Sequence, residues 1–84
     1  MIEMRPPVQV AMTVVDMRGL LWPTPLIQLS RAVLCGRGGD TIGLRVTDRD
    51  CLTEILEWVS ASGHGLIGLS EWHGYDELIV EVRH

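Results

Sequence analysis

Val14-Val15-Asp16-Met17-Arg18-Gly19-Leu20-Leu21-Trp22-Pro23-Thr24-Pro25-Leu26-Ile27-Gln28-Leu29 is the stretch from which the fold can be read, because the hydrophobic period changes within it. On its N-terminal side Val8, Val10, Met12 and Val14 alternate with Gln9, Ala11 and Thr13. That period of two predicts a strand over residues 8–16. Val15 breaks the polar side of the alternation, which suits a strand partly covered by helices. Gly19 supplies backbone angles closed to other residues and predicts a loop over 18–21. Pro23 and Pro25 then suit the first turn of a helix, where a missing N–H costs no intrahelical bond. Leu26, Leu29 and Val33 recur at helical spacing, Ile27 and Leu34 widen the stripe, and Gly36 predicts an end near Cys35.

The same grammar repeats downstream. Ile42, Leu44 and Val46 alternate with Gly43, Arg45 and Thr47, giving a second strand over 41–47. Asp48 or Asp50 caps a second helix over 51–61, and the sequence does not choose between them. Leu52, Ile55, Leu56 and Val59 form its apolar face, and Gly63 stops it. Two strands close the chain, 66–72 and 77–82, joined by the tight connection His73-Gly74-Tyr75-Asp76. Leu78, Val80 and Val82 point one way, with Ile79 the exception on the other side. Strict alternation puts Trp72 on the side of Leu66, Gly68 and Ser70, and both Trp58 and Trp72 read as packing at the edge of the core.

The order β-α-β-α-β-β predicts an α+β fold: a two-layer sandwich with two helices on one face of a four-stranded mixed sheet, its first two strands parallel. At 84 residues the chain is one domain over 1–84, with residues 1–7, which carry Pro6 and Pro7, as a lead-in. Apolar residues make up 46% of it, enough to exclude a disordered chain.

Composition also bounds the function. The net charge is −4, and all seven basic residues are scattered arginines. No basic tract exists to meet a phosphate backbone, so no nucleic-acid partner is expected. No apolar window is long enough to span a membrane, and no basic region leads into an apolar stretch at the start. Cytoplasm is the default location. Cys35 and Cys51 read as free thiols rather than a disulfide framework. The two cysteines and three histidines lack any metal-ligand spacing, and the glycines form no phosphate-binding loop. Neither a metal nor another cofactor is expected.

The segment Asp16 to Pro25 resembles the signature of the TusA (SirA-like) sulfur-carrier and sulfurtransferase family. That signature has an acidic residue at the strand end, Gly-Leu, then Cys-Pro-x-Pro opening the first helix. Asp16, Gly19, Leu20, Pro23 and Pro25 match it. Thr47-Asp48-Arg49-Asp50 before the second helix and Gly63-His64 before the third strand are similar to the family as well, so the likeness runs over about residues 10–83. The family's cysteine position is occupied by Trp22. In the family that cysteine accepts a persulfide sulfur and passes it to a partner protein, a task for an accessible thiolate favoured by a helix start. An indole offers no such thiolate.

What the resemblance implies is a divergent, non-catalytic member that binds or regulates proteins of a sulfur-relay or redox system. Trp22, Pro23, Pro25, Arg18 and Arg49 would form its docking rim. Asp16, Gly19, Leu20 and His64 would serve the architecture, His64 by capping the second helix or by orienting the chain into the third strand. Trp22 reads either as a plug over the end of the core or as an exposed aromatic anchor. Two alternatives stand beside this. One is sulfur transfer, with Cys51, which otherwise reads as a small buried apolar residue, as relocated acceptor at the start of the second helix, or with a cysteine lost at position 22. The other is a module that homodimerises through its open sheet. Cys35, at the negative end of the first helix, reads as structural.

Overall fold

The computed structural model describes residues 12–84. The expected lead-in over 1–7 and the first part of the expected strand, 8–11, lie outside the described residues. The elements are β1 (Met12–Asp16), α1 (Thr24–Cys35), β2 (Thr41–Val46), α2 (Arg49–Ala61), β3 (Gly65–Trp72) and β4 (Tyr75–Glu81). The sheet order is β1-β2-β4-β3. β1 lies parallel to β2, while β4 is antiparallel to both β2 and β3. The fold is the expected two-layer α+β sandwich on a mixed sheet.

One layer of side chains makes the core. Ile42, Leu44 and Val46 of β2 and Leu78, Val80 and Val82 at β4 are buried against Leu29 and Val33 of α1 and Ile55 and Val59 of α2. Leu29, Leu44, Ile55, Leu78, Val80 and Val82 are fully closed to solvent. Each is carried there by its period, two in the strands and 3.6 in the helices. Fully burying a large aliphatic side chain stabilises the fold by about 1.5–3 kcal/mol.

Three local expectations are corrected. In β1 the alternating residues Met12 and Val14 are more than half exposed. They approach Gly43 on the face away from the helices, and Val15 packs on the core instead. β1 is an edge strand with apolar residues on both faces, so its period alone does not name the buried side. In α1 the buried positions are Pro25, Leu29 and Val33; Ile27 and Leu34 point to solvent. In β3 a bulge between Leu66 and Gly68 breaks the register. Leu66 consequently pairs with Val80 on the helix side and Gly68 with Ile79 on the open side. Trp72 does not share a face with Leu66, and at 53% exposure it is not packed into the core. Trp58 is half-buried against the core, as its helical position suggests.

The β3–β4 connection is shorter than expected, with Trp72 already paired to Tyr75 across His73-Gly74. Asp48 settles the capping question: its side chain accepts from the Asp50 N–H at 3.0 Å.

Candidate functional site

The loop from β1 to α1 is built from its backbone outward. Met17 is 1% exposed, and its N–H donates to the Arg45 carbonyl at 2.9 Å. It therefore pins the chain to the end of β2 before the loop leaves the sheet. The Leu20 N–H closes a turn onto the Met17 carbonyl at 3.2 Å. Gly19 sits third in that turn at φ +78°, a region an L side chain enters only with strain. Its N–H also donates to Thr47 Oγ1 at 3.2 Å, tying the loop to the segment leading into α2. A second turn, Thr24 N–H to Leu21 carbonyl at 3.0 Å, carries Trp22 and Pro23 at its centre. The Trp22–Pro23 peptide is cis. The helix then begins at Thr24 with Pro23 in the capping position and no side chain capping its first amides. Pro25 is buried and Pro23 exposed.

Both helices open at this end of the sheet. Trp22, 40% exposed, faces the start of α2 across a cleft of about 480 Å³ lined also by Asp48, Asp50, Cys51, Thr53 and Glu54. The chain thus brings Trp22 and Cys51 to one place. Their surroundings differ. Cys51 is 1% exposed and belongs to the core cluster. Burial first, then the charges of Asp48 and Asp50 and a hydrogen bond to Asp48, push its thiol pKa up. Cys35, by contrast, is exposed at the end of α1.

The two rim arginines are each engaged. Arg18 grips Asp16 through both carboxylate oxygens, Nη2 to Oδ2 at 2.7 Å and Nε to Oδ1 at 2.9 Å. Asp16 also accepts the Arg18 backbone N–H at 3.1 Å. The guanidinium holds the Asp16 carboxyl down at about 2. Arg18 lies over the Tyr75 ring at 5.1 Å, and Arg45 lies over the same ring at 5.9 Å. Arg45 in turn pairs with Glu77 at 3.3 Å. Arg49 points to Glu71 at 3.4 Å, away from the cleft of Trp22, and both of these side chains are largely solvated.

His64 acts at the opposite end of α2. Its Nδ1 accepts the Arg83 backbone N–H at 2.9 Å, and its ring stacks on Trp58 with centroids 5.9 Å apart. It thereby ties the start of β3 to the chain beyond β4. It caps no carbonyl of α2; that end is served by Ser62, whose hydroxyl donates to the Trp58 carbonyl at 2.7 Å. Sequence reasoning gave His84 no role. Its Nε2 lies 3.2 Å from both the Val33 and Gly36 carbonyls, at the end of α1. The Arg18–Tyr75–Arg45 array was missed as well. Its only sequence signal was polar and aromatic residues on the non-core phase of β2 and β4.

Among the described residues no group of three His, Cys, Asp or Glu side chains is placed to hold a metal ion. No helix among them is long and apolar enough to cross a membrane. No cysteine lies in the loop of residues 17–23.

Comparison with known proteins follows the same outline. A protein of Archaeoglobus fulgidus named as a candidate sulfur carrier is 29% identical over 70 residues, covering 83% of this chain and 96% of its own length. The crystal structure of a SirA-like protein from Desulfitobacterium hafniense superposes with a TM-score of 0.74 at 18% identity, over 86% of this chain and 99% of that one. That likeness speaks for the fold. The family model described as Sulfurtransferase TusA matches residues 13–83, from β1 to the segment after β4, and with that span matched the chain belongs to the TusA family.

Proposed function

We propose that this protein is a non-catalytic member of the TusA family, a cytoplasmic binding or regulatory module that docks on proteins of a sulfur-relay or redox system without carrying sulfur itself. Trp22 takes the place of the carrier thiol and serves as the aromatic anchor of the docking rim, with Pro23 beside it. The single observation that carries this reading is the cleft between the two helix starts. The side chain presented there is an indole, and the one thiol lining it, Cys51, is buried, with burial and the neighbouring aspartates disfavouring its thiolate. A half-exposed tryptophan on a loop fixed by backbone bonds is pre-organised for contact, since little side-chain freedom is lost on docking.

Sulfur transfer through Cys51 is the competing reading, and its presence in the cleft is what favours it. The two are separated by incubating the folded protein with a persulfide donor, followed by intact-mass measurement and peptide mapping. The expected result is no sulfur on Cys51, with any reducible adduct mapping to exposed Cys35 and vanishing in a Cys35→Ser variant. A reducible extra sulfur on Cys51 of the folded protein refutes the non-catalytic reading.

A further inference from the structure

A second concavity lies at the C-terminal end of α2, away from the Trp22 cleft and independent of the function proposed for it. Its volume is about 390 Å³, within the roughly 300–1,000 Å³ typical of small-molecule sites. Leu56, Val59 and Leu66 give it an apolar wall. Leu66 is there because of the β3 bulge, which turns it to the helix side at the sheet's edge, where it remains 42% exposed. Exposed apolar surface in a concavity is a place where a ligand's hydrocarbon can be buried.

Two N–H bearing groups stand beside that wall. His64 accepts a backbone N–H at Nδ1, so the proton of its neutral ring resides on Nε2 and makes that atom a donor. Stacking on Trp58, with ring planes 26° apart, fixes the ring. Arg83 is the second group. A side chain at position 65 would run into its guanidinium, so the bare backbone of Gly65 is what lets the group lie flat against β3. Arg83 uses Nε to bind Glu81 at 3.0 Å, and among the described residues its terminal amino groups make no hydrogen bond, which leaves them for another acceptor.

We infer that this groove binds a small carboxylate with a short hydrocarbon body, the hydrocarbon against Leu56, Val59 and Leu66 and the carboxylate at Arg83 and His64. A planar guanidinium beside an imidazole N–H matches a carboxylate better than a neutral or cationic head group. The chain's net charge of −4 opposes anions in general, so selectivity for an anion here has to come from these local groups.

The test is a titration of the full chain followed by ¹H–¹⁵N NMR, with hexanoate as probe and 1-hexanol and hexylamine as matched controls. Hexanoate is expected to shift the Gly65 and Leu66 amides and the Trp58 indole N–H saturably in the low-millimolar range. Hexanol should bind about fivefold or more weakly, and hexylamine not at all, since the charge-assisted contacts are lost. Arg83→Gln should weaken hexanoate by about 5–10-fold while the rest of the spectrum stays folded. Gly65→Ala, which evicts the guanidinium without removing it, should do the same. Equal binding of hexanol, unchanged affinity in both variants, or the absence of saturable shifts at these three sites overturns the assignment.

Discussion

Alkylation of the two cysteines in the folded protein puts the chemistry of the cleft to a direct test. An ordinary thiol, with a pKa near 8.5, is about one-tenth ionised at pH 7.5. Cys51 lies above the ordinary value because burial and the two flanking aspartates disfavour its anion. It also has 1% of its surface exposed, so a reagent reaches it only when the start of α2 opens. A local opening of about 3 kcal/mol admits the reagent about one-hundredth of the time, before any allowance for the pKa. Cys35 is exposed at the end of α1, so the reagent reaches it without any opening of the fold. Iodoacetamide at pH 7.5, quenched over time and read by peptide mass, should therefore label Cys35 at least 100-fold faster than Cys51. In strong denaturant the two should react alike. A native-state rate for Cys51 within tenfold of that for Cys35 refutes the argument and reopens sulfur transfer at that residue. The same raised pKa has a stability consequence of fixed sign. Its contribution is fully present below the unfolded thiol's pKa and is lost as pH rises, because the unfolded thiol ionises while the folded one holds its proton. Urea midpoints should fall above about pH 8.5, and Cys51→Ala should remove that part of the slope.

Further predictions concern the core, the loop and the rim. Leu44→Ala, at a fully buried site on central β2, should lower the unfolding free energy by about 3 kcal/mol, whereas Val14→Thr, on the open face, should change it by less than about 0.5 kcal/mol; equal costs in urea melts would mean that the buried face of β1 is misassigned. The Asp16 carboxyl, followed by its ¹³C shift, should titrate near about 2 rather than 3.8, and Arg18→Gln should return it towards 3.8. The sign follows from the lowered value: whatever Asp16 contributes to stability is present above 3.8 and lost as pH falls through about 2. Trp22→Cys in a Cys35→Ser background should gain one reducible sulfur from a persulfide donor, because the loop presents position 22 to solvent beside uncapped helix amides; failure to load would mean that more than the thiol separates this chain from the carriers.

The fold was legible because β2, α2 and β4 carry single, unbroken periods. Ile42-Leu44-Val46, Leu52-Ile55-Val59 and Leu78-Val80-Val82 each point one way, and all of them are buried. β1 was legible as a strand but not in its orientation, since Val14 and Val15 offer either face. Trp72 was misplaced because a bulge adds one residue to β3 and reverses parity beyond it; the glycine at its edge, Gly68, is the one sequence signal of it, and strict alternation passed over it. At the candidate site, the meeting of Trp22 and Cys51 followed from two helices that begin at one end of a parallel pair. The burial of Cys51 agrees with its first reading as a small apolar residue, although a residue at a helix start faces either solvent or core depending on the helix's rotation. Arg18 and Arg49 read as parts of a docking rim; their partners Asp16 and Glu71 become neighbours through a side chain folding back over two residues and through the far end of β3, the next element after α2.

The bonds that shape the loop explain how its chemistry can change while its form persists. Met17 fills the core, Gly19 makes the turn and reaches Thr47, Leu21 and Pro23 offer carbonyls to Thr24 and Ile27, and Pro25 seats the helix. Every one of these contacts uses the backbone or a neighbour of residue 22, and none uses its side chain. A substitution at position 22 is therefore expected to cost the fold less than a change at Met17, Gly19 or Pro25, which urea melts of the variants would read. Under that division of labour the function proposed above needs only the side chain at position 22: the loop's backbone keeps its form, and the indole of Trp22, 40% exposed, supplies aromatic area for contact.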